Sequence, residues 1–129
     1  MNVRNKIIKL STESNEEVCG FLVGEDKIEV IPIKNVARNK QESFQISATD
    51  FLFTEKKYKT LAIYHSHPVG SEEPSEADKK ASEVSCLPFV IYSKTANKFS
   101  IYEPENCVKD TSKLKGIFLW EQKFIYMAY

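Results

Sequence analysis

The chain holds two histidines, His65 and His67, and they stand two residues apart. In an extended strand, residues i and i+2 project from the same face, so both imidazoles aim at one point while Ser66 faces away. Two converging imidazoles are half of a zinc site. They are equally a pair that satisfies hydrogen bonds at a strand end, and a bare His-x-His leaves the two readings about even. Asp78 lies in the first turn of a helix that Ser75 can cap, where its carboxylate is able to supply a third ligand and leave a fourth position open to water. Ser75-Glu76-Ala77-Asp78 is also a plain capping box, and Ser47-Ala48-Thr49-Asp50 repeats the pattern. Glu16 and Glu17 immediately precede an apolar strand, at whose mouth a carboxylate can face such a metal. On position alone a solvated acidic pair is the simpler reading, and spacing does not decide between the two.

The elements that must position these groups alternate between helical and strand patterns, which points to a mixed α/β domain. Val3, Ile7, Ile8 and Leu10 make one face of a short opening helix, which the polar run Ser11 to Glu16 interrupts. Val18 to Val23 ends at Gly24; with Glu25-Asp26-Lys27 as turn and Ile28 to Ile33 as return strand it reads as a β-hairpin. Phe44 to Ile46 is a short strand, and Ser47 begins a helix with Ala48, Phe51 and Leu52 on its buried face. Leu61 to Tyr64 reads as a central strand that runs into the histidines and is stopped by Pro68, which removes a ladder donor. The helix capped by Ser75 places Ala77, Ala81 and Val84 on one face and ends before Pro88. Phe89 to Tyr92 and Phe99 to Tyr102 form another strand pair around a Lys94 to Lys98 turn, and Ile117 to Tyr126 suits one or two final strands.

Composition bounds what such a site serves. The 129 residues are expected to form a single domain, 1–129, with one proper core. Eighteen Lys and Arg balance 18 Asp and Glu, so bulk electrostatics draw the chain to neither nucleic acid nor an anionic membrane. Cys19, Cys86 and Cys107 are odd in number and not closely spaced, so neither a disulfide framework nor a zinc knuckle reads from them, and a reducing compartment fits best. Met1 to Leu10 carries Arg4, Lys6 and Lys9 and no apolar signal run, and no stretch approaches the ~20 apolar residues of a membrane span. A cytoplasmic protein is the expectation.

His65-Ser66-His67, seven residues, then Ser75-Glu76-Ala77-Asp78 resembles the zinc motif His-x-His, seven residues, Ser-x-x-Asp of the JAMM (MPN-plus, Mov34, prokaryotic JAB) metalloproteases. Asn15 to Gly24 is similar to that family's glutamate segment, where Glu stands two residues before Cys-Gly and an apolar run ends in Gly; this places the glutamate on Glu17. The resemblance covers residues 15 to 102 in order. It implies a cytidine-deaminase-like α/β fold, a mixed β-sheet flanked by helices. It further implies a Zn²⁺-dependent peptidase or isopeptidase with His65, His67 and Asp78 as ligands, Glu17 as general base and Ser75 donating to the oxyanion. Cys19 reads as a small buried hydrophobe beside this set. Ser75 to Ile91, with its Leu87-Pro88-Phe89, is also similar to the JAMM domain of phage tail-assembly proteins. The implied substrate is a protein or peptide, a ubiquitin-like or phage tail protein among them, cut at a flexible glycine-containing tail laid along a sheet edge or a loop near the metal. Two rivals remain to be weighed: a metal-free MPN-type scaffold, and a zinc nucleobase deaminase, whose His-x-Glu and Pro-Cys-x-x-Cys ligand set this chain lacks.

Overall fold

Residues 1–107 and 109–119 are described by a computed structural model. Two antiparallel pairings on one side and one on the other bracket a parallel pair, giving a five-stranded mixed sheet of order β2-β1-β3-β4-β5. Strands β1 (Cys19–Val23) and β2 (Glu29–Ile33) form the expected hairpin. Strand β3 (Thr60–His67) is central and runs parallel to β4 (Phe89–Ser93), which pairs in turn with β5 (Lys98–Tyr102). A parallel pair cannot be joined by a tight turn; the crossover here contains a helix, Glu76–Ser85. Among the described residues there are three other helices, Val3–Thr12 (α1), Ala48–Lys57 (α2) and Ser112–Phe118 (α4), so that the crossover helix is α3 in chain order.

Two glycines are fixed by close backbone approach. A Cβ at Gly20 would lie 2.2 Å from the Ile31 carbonyl oxygen and 2.7 Å from the Tyr64 ring, so the strand crosses Tyr64 only with no side chain there. Gly24 turns the hairpin at φ +125°, a conformation that L residues rarely adopt. One side of the sheet packs Leu22, Ala62, Tyr64, Val90 and Phe99 against Ile7 of α1 and Leu114 and Phe118 of α4. The other side packs Phe21, Val23, Ile63, Phe89 and Ile91 against Phe51 and Tyr58, from α2 and its C-terminal cap. Among the described residues no helix is long and apolar enough to cross a membrane.

Several expectations need correction. α1 continues to Thr12, because Ser11 falls one turn after Ile7 and is buried with it. Phe44 to Ile46 joins no ladder; it is tied through Gln45, whose carbonyl accepts from Val36 N–H and whose N–H donates to Asn35 Oδ1. α2 starts at Ser47 as expected, but Phe51, Thr54 and Tyr58 face inward while Ala48, Leu52 and Phe53 face outward. Its contact with the sheet is narrow, Phe51 meeting Phe21 edge-on at 5.5 Å, and the 100° step of a helix turns Leu52 away from it. α3 buries Asp78 and Ser82 and exposes Ala77, Ala81 and Val84, because polar partners wait inside: the Ser82 hydroxyl donates to the Leu87 carbonyl at 2.7 Å. Ile117 and Phe118 belong to helix α4 rather than a strand, and the rest of that expected strand, residues 120–126, lies outside the described residues. Cys86 and Cys107, 21 residues apart in sequence, form a disulfide with Cα atoms 5.4 Å apart. The β4–β5 hairpin returns the chain to the end of α3, a proximity invisible in the spacing.

Candidate metal centre

β3 brings both histidines to one face, as its alternation requires, and delivers them at its C-terminal end beside β4, His65 opposite Ile91 and His67 opposite Ser93. His65 is fully buried, stacked on Phe44 with ring centroids 4.3 Å apart and met edge-on by Phe89 at 5.4 Å. Burial lowers its pKa and holds the ring neutral. His67, at the rim, has its Nδ1 2.8 Å from the Ser71 carbonyl oxygen. A carbonyl only accepts, so Nδ1 carries a proton and Nε2 is turned toward the interior.

Asp78 meets both rings. Its Oδ1 lies 3.2 Å from His65 Nε2 and its Oδ2 3.2 Å from His67 Nε2. It also completes the capping box: the Asp78 N–H donates to Ser75 Oγ at 3.0 Å, and the Ser75 N–H donates to Asp78 Oδ2 at 2.9 Å. Burial works to raise the Asp78 pKa, but its bonds with His65, His67 and the Ser75 backbone outweigh it, and the carboxyl stays ionised well below the usual range. The capping and ligand readings of Asp78 are therefore compatible in one geometry.

Glu16 is exposed and Glu17 is buried, at 6 % exposure. The acidic pair is thus split between a solvated member and one turned to the histidines. Oxygen and nitrogen atoms of Glu17, His65 and His67 lie within 4.8 Å of one another. Burial pushes the Glu17 pKa up to about 7, with the Asp78 charge adding to the rise and His67 opposing it. Cys19 is buried and its thiol donates to the Ile33 carbonyl; burial, and then the Glu17 charge, push it up to about 12, and it behaves as a small apolar side chain.

The residues fit a divalent metal. Among the described residues, Nδ1 of the buried His65 has no hydrogen-bond partner, and its Nε2 has the long contact to Asp78 Oδ1 at 3.2 Å, a costly state for a polar group away from water. At His67, Nε2 stands 3.2 Å from Asp78 Oδ2, a pair held either by a proton on Nε2, which the hydrogen bond to Asp78 favours by raising the His67 pKa, or by a cation in its place. Two imidazoles with one or two carboxylates are a donor set of zinc type. The site opens on a cleft of about 490 Å³ whose lining includes Glu17, Gln41, Glu42, His67, Ser75 and Asp78. Ser75 Oγ uses a lone pair on the Asp78 N–H and keeps its own O–H free to donate.

All five expected residues, Glu17, His65, His67, Ser75 and Asp78, border this one centre. Three contributors went unread. Phe44, expected in a short strand, instead covers His65, a contact that its spacing did not signal. Ser71 orients His67 through a backbone carbonyl, which no residue type reveals. Asn35 organises the loop over Glu17, and an Asn after a strand does signal a turn built on its side chain.

An α/β sheet with a His-x-His at the end of its central strand and a buried Glu beside it defines the class. The family of prokaryotic homologs of the JAB domain matches residues 2–106, and the chain belongs to it. The tail tip assembly protein K of Escherichia phage N15 is 32% identical over 84 residues, 64% of this chain and 35% of that protein, so the match spans about a third of the relative's length. A solution structure of a Desulfitobacterium hafniense protein is similar with a TM-score of 0.61 and 23% identity, over 75% of each chain. The crystal structure of a JAB1/MPN domain protein from Archaeoglobus fulgidus is similar with a TM-score of 0.55 and 18% identity, covering 84% of this chain and 91% of that one. The expected fold is thus the one observed. The family includes metalloisopeptidases and inactive members.

Proposed function

We propose that this domain is a zinc-dependent peptidase or isopeptidase, with His65, His67 and Asp78 as metal ligands. The observation that carries the reading is the convergence of two imidazole Nε2 atoms on one carboxylate, each at 3.2 Å, with a buried glutamate alongside. Zinc in that position supplies Lewis acidity toward a water molecule and toward the scissile carbonyl. Glu17, buried beside the two histidines, takes a proton from the attacking water. It passes that proton to the leaving amine as the C–N bond breaks. Ser75 donates its free O–H to the oxyanion. His67 is held in register by Ser71, and His65 by the Phe44 and Phe89 rings, so neither ligand has to reorganise.

The metal centre sits at the end of the central strand, two strands from either sheet edge. An extended tail therefore enters along the loop residues Gln41 and Glu42 on one side and Pro68 and Val69 on the other. Small residues at the cleavage point let the backbone come close to the centre, so a glycine-containing tail of a ubiquitin-like or phage tail protein fits best. The likeness to a tail tip assembly protein supports the second source. The test is hydrolysis by zinc-loaded protein of one Gly-Gly-containing tail carried on a ubiquitin-like fold, on a tail protein and on an unrelated domain. We expect cleavage of all three, abolished by Glu17→Gln and by chelator while far-ultraviolet circular dichroism is unchanged. Absence of cleavage with zinc bound would leave the scaffold reading in place.

A further inference from the structure

The base of this site is a side chain at the end of a loop, and something must hold it within reach of the histidines. Its backbone is gripped from two sides. On the sheet side, Val18 N–H donates to Ser66 Oγ at 2.9 Å and Ser66 N–H donates to the Val18 carbonyl at 3.0 Å. On the other, Glu17 N–H donates to the Lys40 carbonyl at 2.7 Å, and the Glu17 carbonyl accepts from Asn35 Nδ2 at 3.0 Å. Asn35 spends its whole hydrogen-bonding capacity here. Nδ2 also donates to the Ser43 carbonyl at 3.0 Å, while Oδ1 accepts from the N–H groups of Ala37 at 3.0 Å and Gln45 at 3.1 Å. One amide therefore ties the two ends of the β2–α2 loop to each other and to the backbone of Glu17. That loop carries Gln41 and Glu42, a wall of the cleft, and Phe44, the lid on His65.

We propose that Asn35 is the positioning residue of Glu17: it clamps the base and the cleft wall into one body. The carboxylate of Asn35→Asp is nearly isosteric. It retains the acceptor for Ala37 and Gln45 but has no donor for the Glu17 and Ser43 carbonyls. The loop keeps its internal turn and loses its hold on Glu17.

Amide hydrogen exchange on the full chain, zinc-loaded and metal-free, reads this directly. In Asn35→Asp the Glu17 amide should exchange at least ~10-fold faster, with Ala37, Gln45 and core amides such as Tyr64 and Val90 unchanged. A Glu17 amide as protected as in the wild type overturns the proposal, as does equal loosening of Ala37, Gln45 and Glu17, which marks a merely structural turn residue. The kinetic arm rests on the peptidase reading. There kcat should fall by about 10²-fold, with KM and zinc content nearly unchanged, whereas Asn39→Ala, which loses only a bond from the same loop to Glu42, should leave kcat within about twofold. An unchanged kcat in Asn35→Asp also overturns the proposal. If the wild type cleaves nothing but the Glu17 amide is freed as described, the clamp stands and the peptidase reading falls.

Discussion

Replacing Glu17 by Gln should stabilise the metal-free protein at alkaline pH and not at acid pH. Glu17 is buried and its pKa rises from 4.5 to about 7, chiefly because burial penalises the charged form. A group whose folded-state pKa lies above its unfolded value contributes stability that is whole below the unfolded value and is lost as pH rises through the folded one. The window is therefore pH 4.5 to about 7. At about 1.4 kcal/mol per pH unit, the full loss is about 3 kcal/mol, a large part of the stability of a small domain. Gln does not ionise. Its amide has a desolvation cost of its own, but that cost is the same at every pH and cancels when the two proteins are compared at both. Urea unfolding of wild type and Glu17→Gln in chelator, at pH 4.5 and pH 8.5, should show the variant gaining about 2–3 kcal/mol on the wild type between the two conditions. A difference flat to within about 0.5 kcal/mol would refute the buried, strained ionisation on which the role of Glu17 as base rests.

Ser75→Ala should lose about 10²-fold in kcat through the missing oxyanion donor and about 1 kcal/mol of stability through the missing cap, with zinc retained; loss of zinc would mean that the cap, not the chemistry, explains the defect. Gly20→Ala should cost about 3 kcal/mol or more by forcing a methyl into the Ile31 carbonyl and the Tyr64 ring, read as a lowered urea midpoint; a change under ~0.5 kcal/mol would contradict the described strand crossing. Replacing both Cys86 and Cys107 by Ser should cost about 3 kcal/mol, from the chain entropy of the loop the disulfide closes; an unaltered urea midpoint in the absence of reductant would show that the bond does not form.

The parts of this fold that were readable in sequence are those where a period or a punctuation mark coincides with the core. β1, β3 and β4 carry apolar runs punctuated by Gly24, Pro68 and Pro88, and the His-x-His spacing made sense as soon as a strand carried it. Helix faces were misread where polar chemistry overrides hydrophobic periodicity. In α3 the inward positions are Asp78 and Ser82 because the site and the Leu87 carbonyl lie there, so Ala77, Ala81 and Val84 mark the wrong side. The pairing of Cys86 with Cys107 and the cover of Phe44 over His65 depend on where a hairpin and a loop return, information that no local pattern holds. For the acidic pair, the residues alone left Glu16 and Glu17 open; the resemblance selected Glu17, which is the buried member of the pair.

The geometry offers two carboxylates to the histidine pair: Asp78, 3.2 Å from both Nε2 atoms, and Glu17, which with the histidines forms a cluster within 4.8 Å. Zinc content of purified, full-length protein separates a ligand from a base. We expect one zinc per chain in the wild type and in Glu17→Ala, and loss of it in Asp78→Ala and in His67→Ala, because two protein ligands do not hold the ion as three do. Full zinc in Asp78→Ala together with its loss in Glu17→Ala would make Glu17 the third ligand and leave the proposed base without its role.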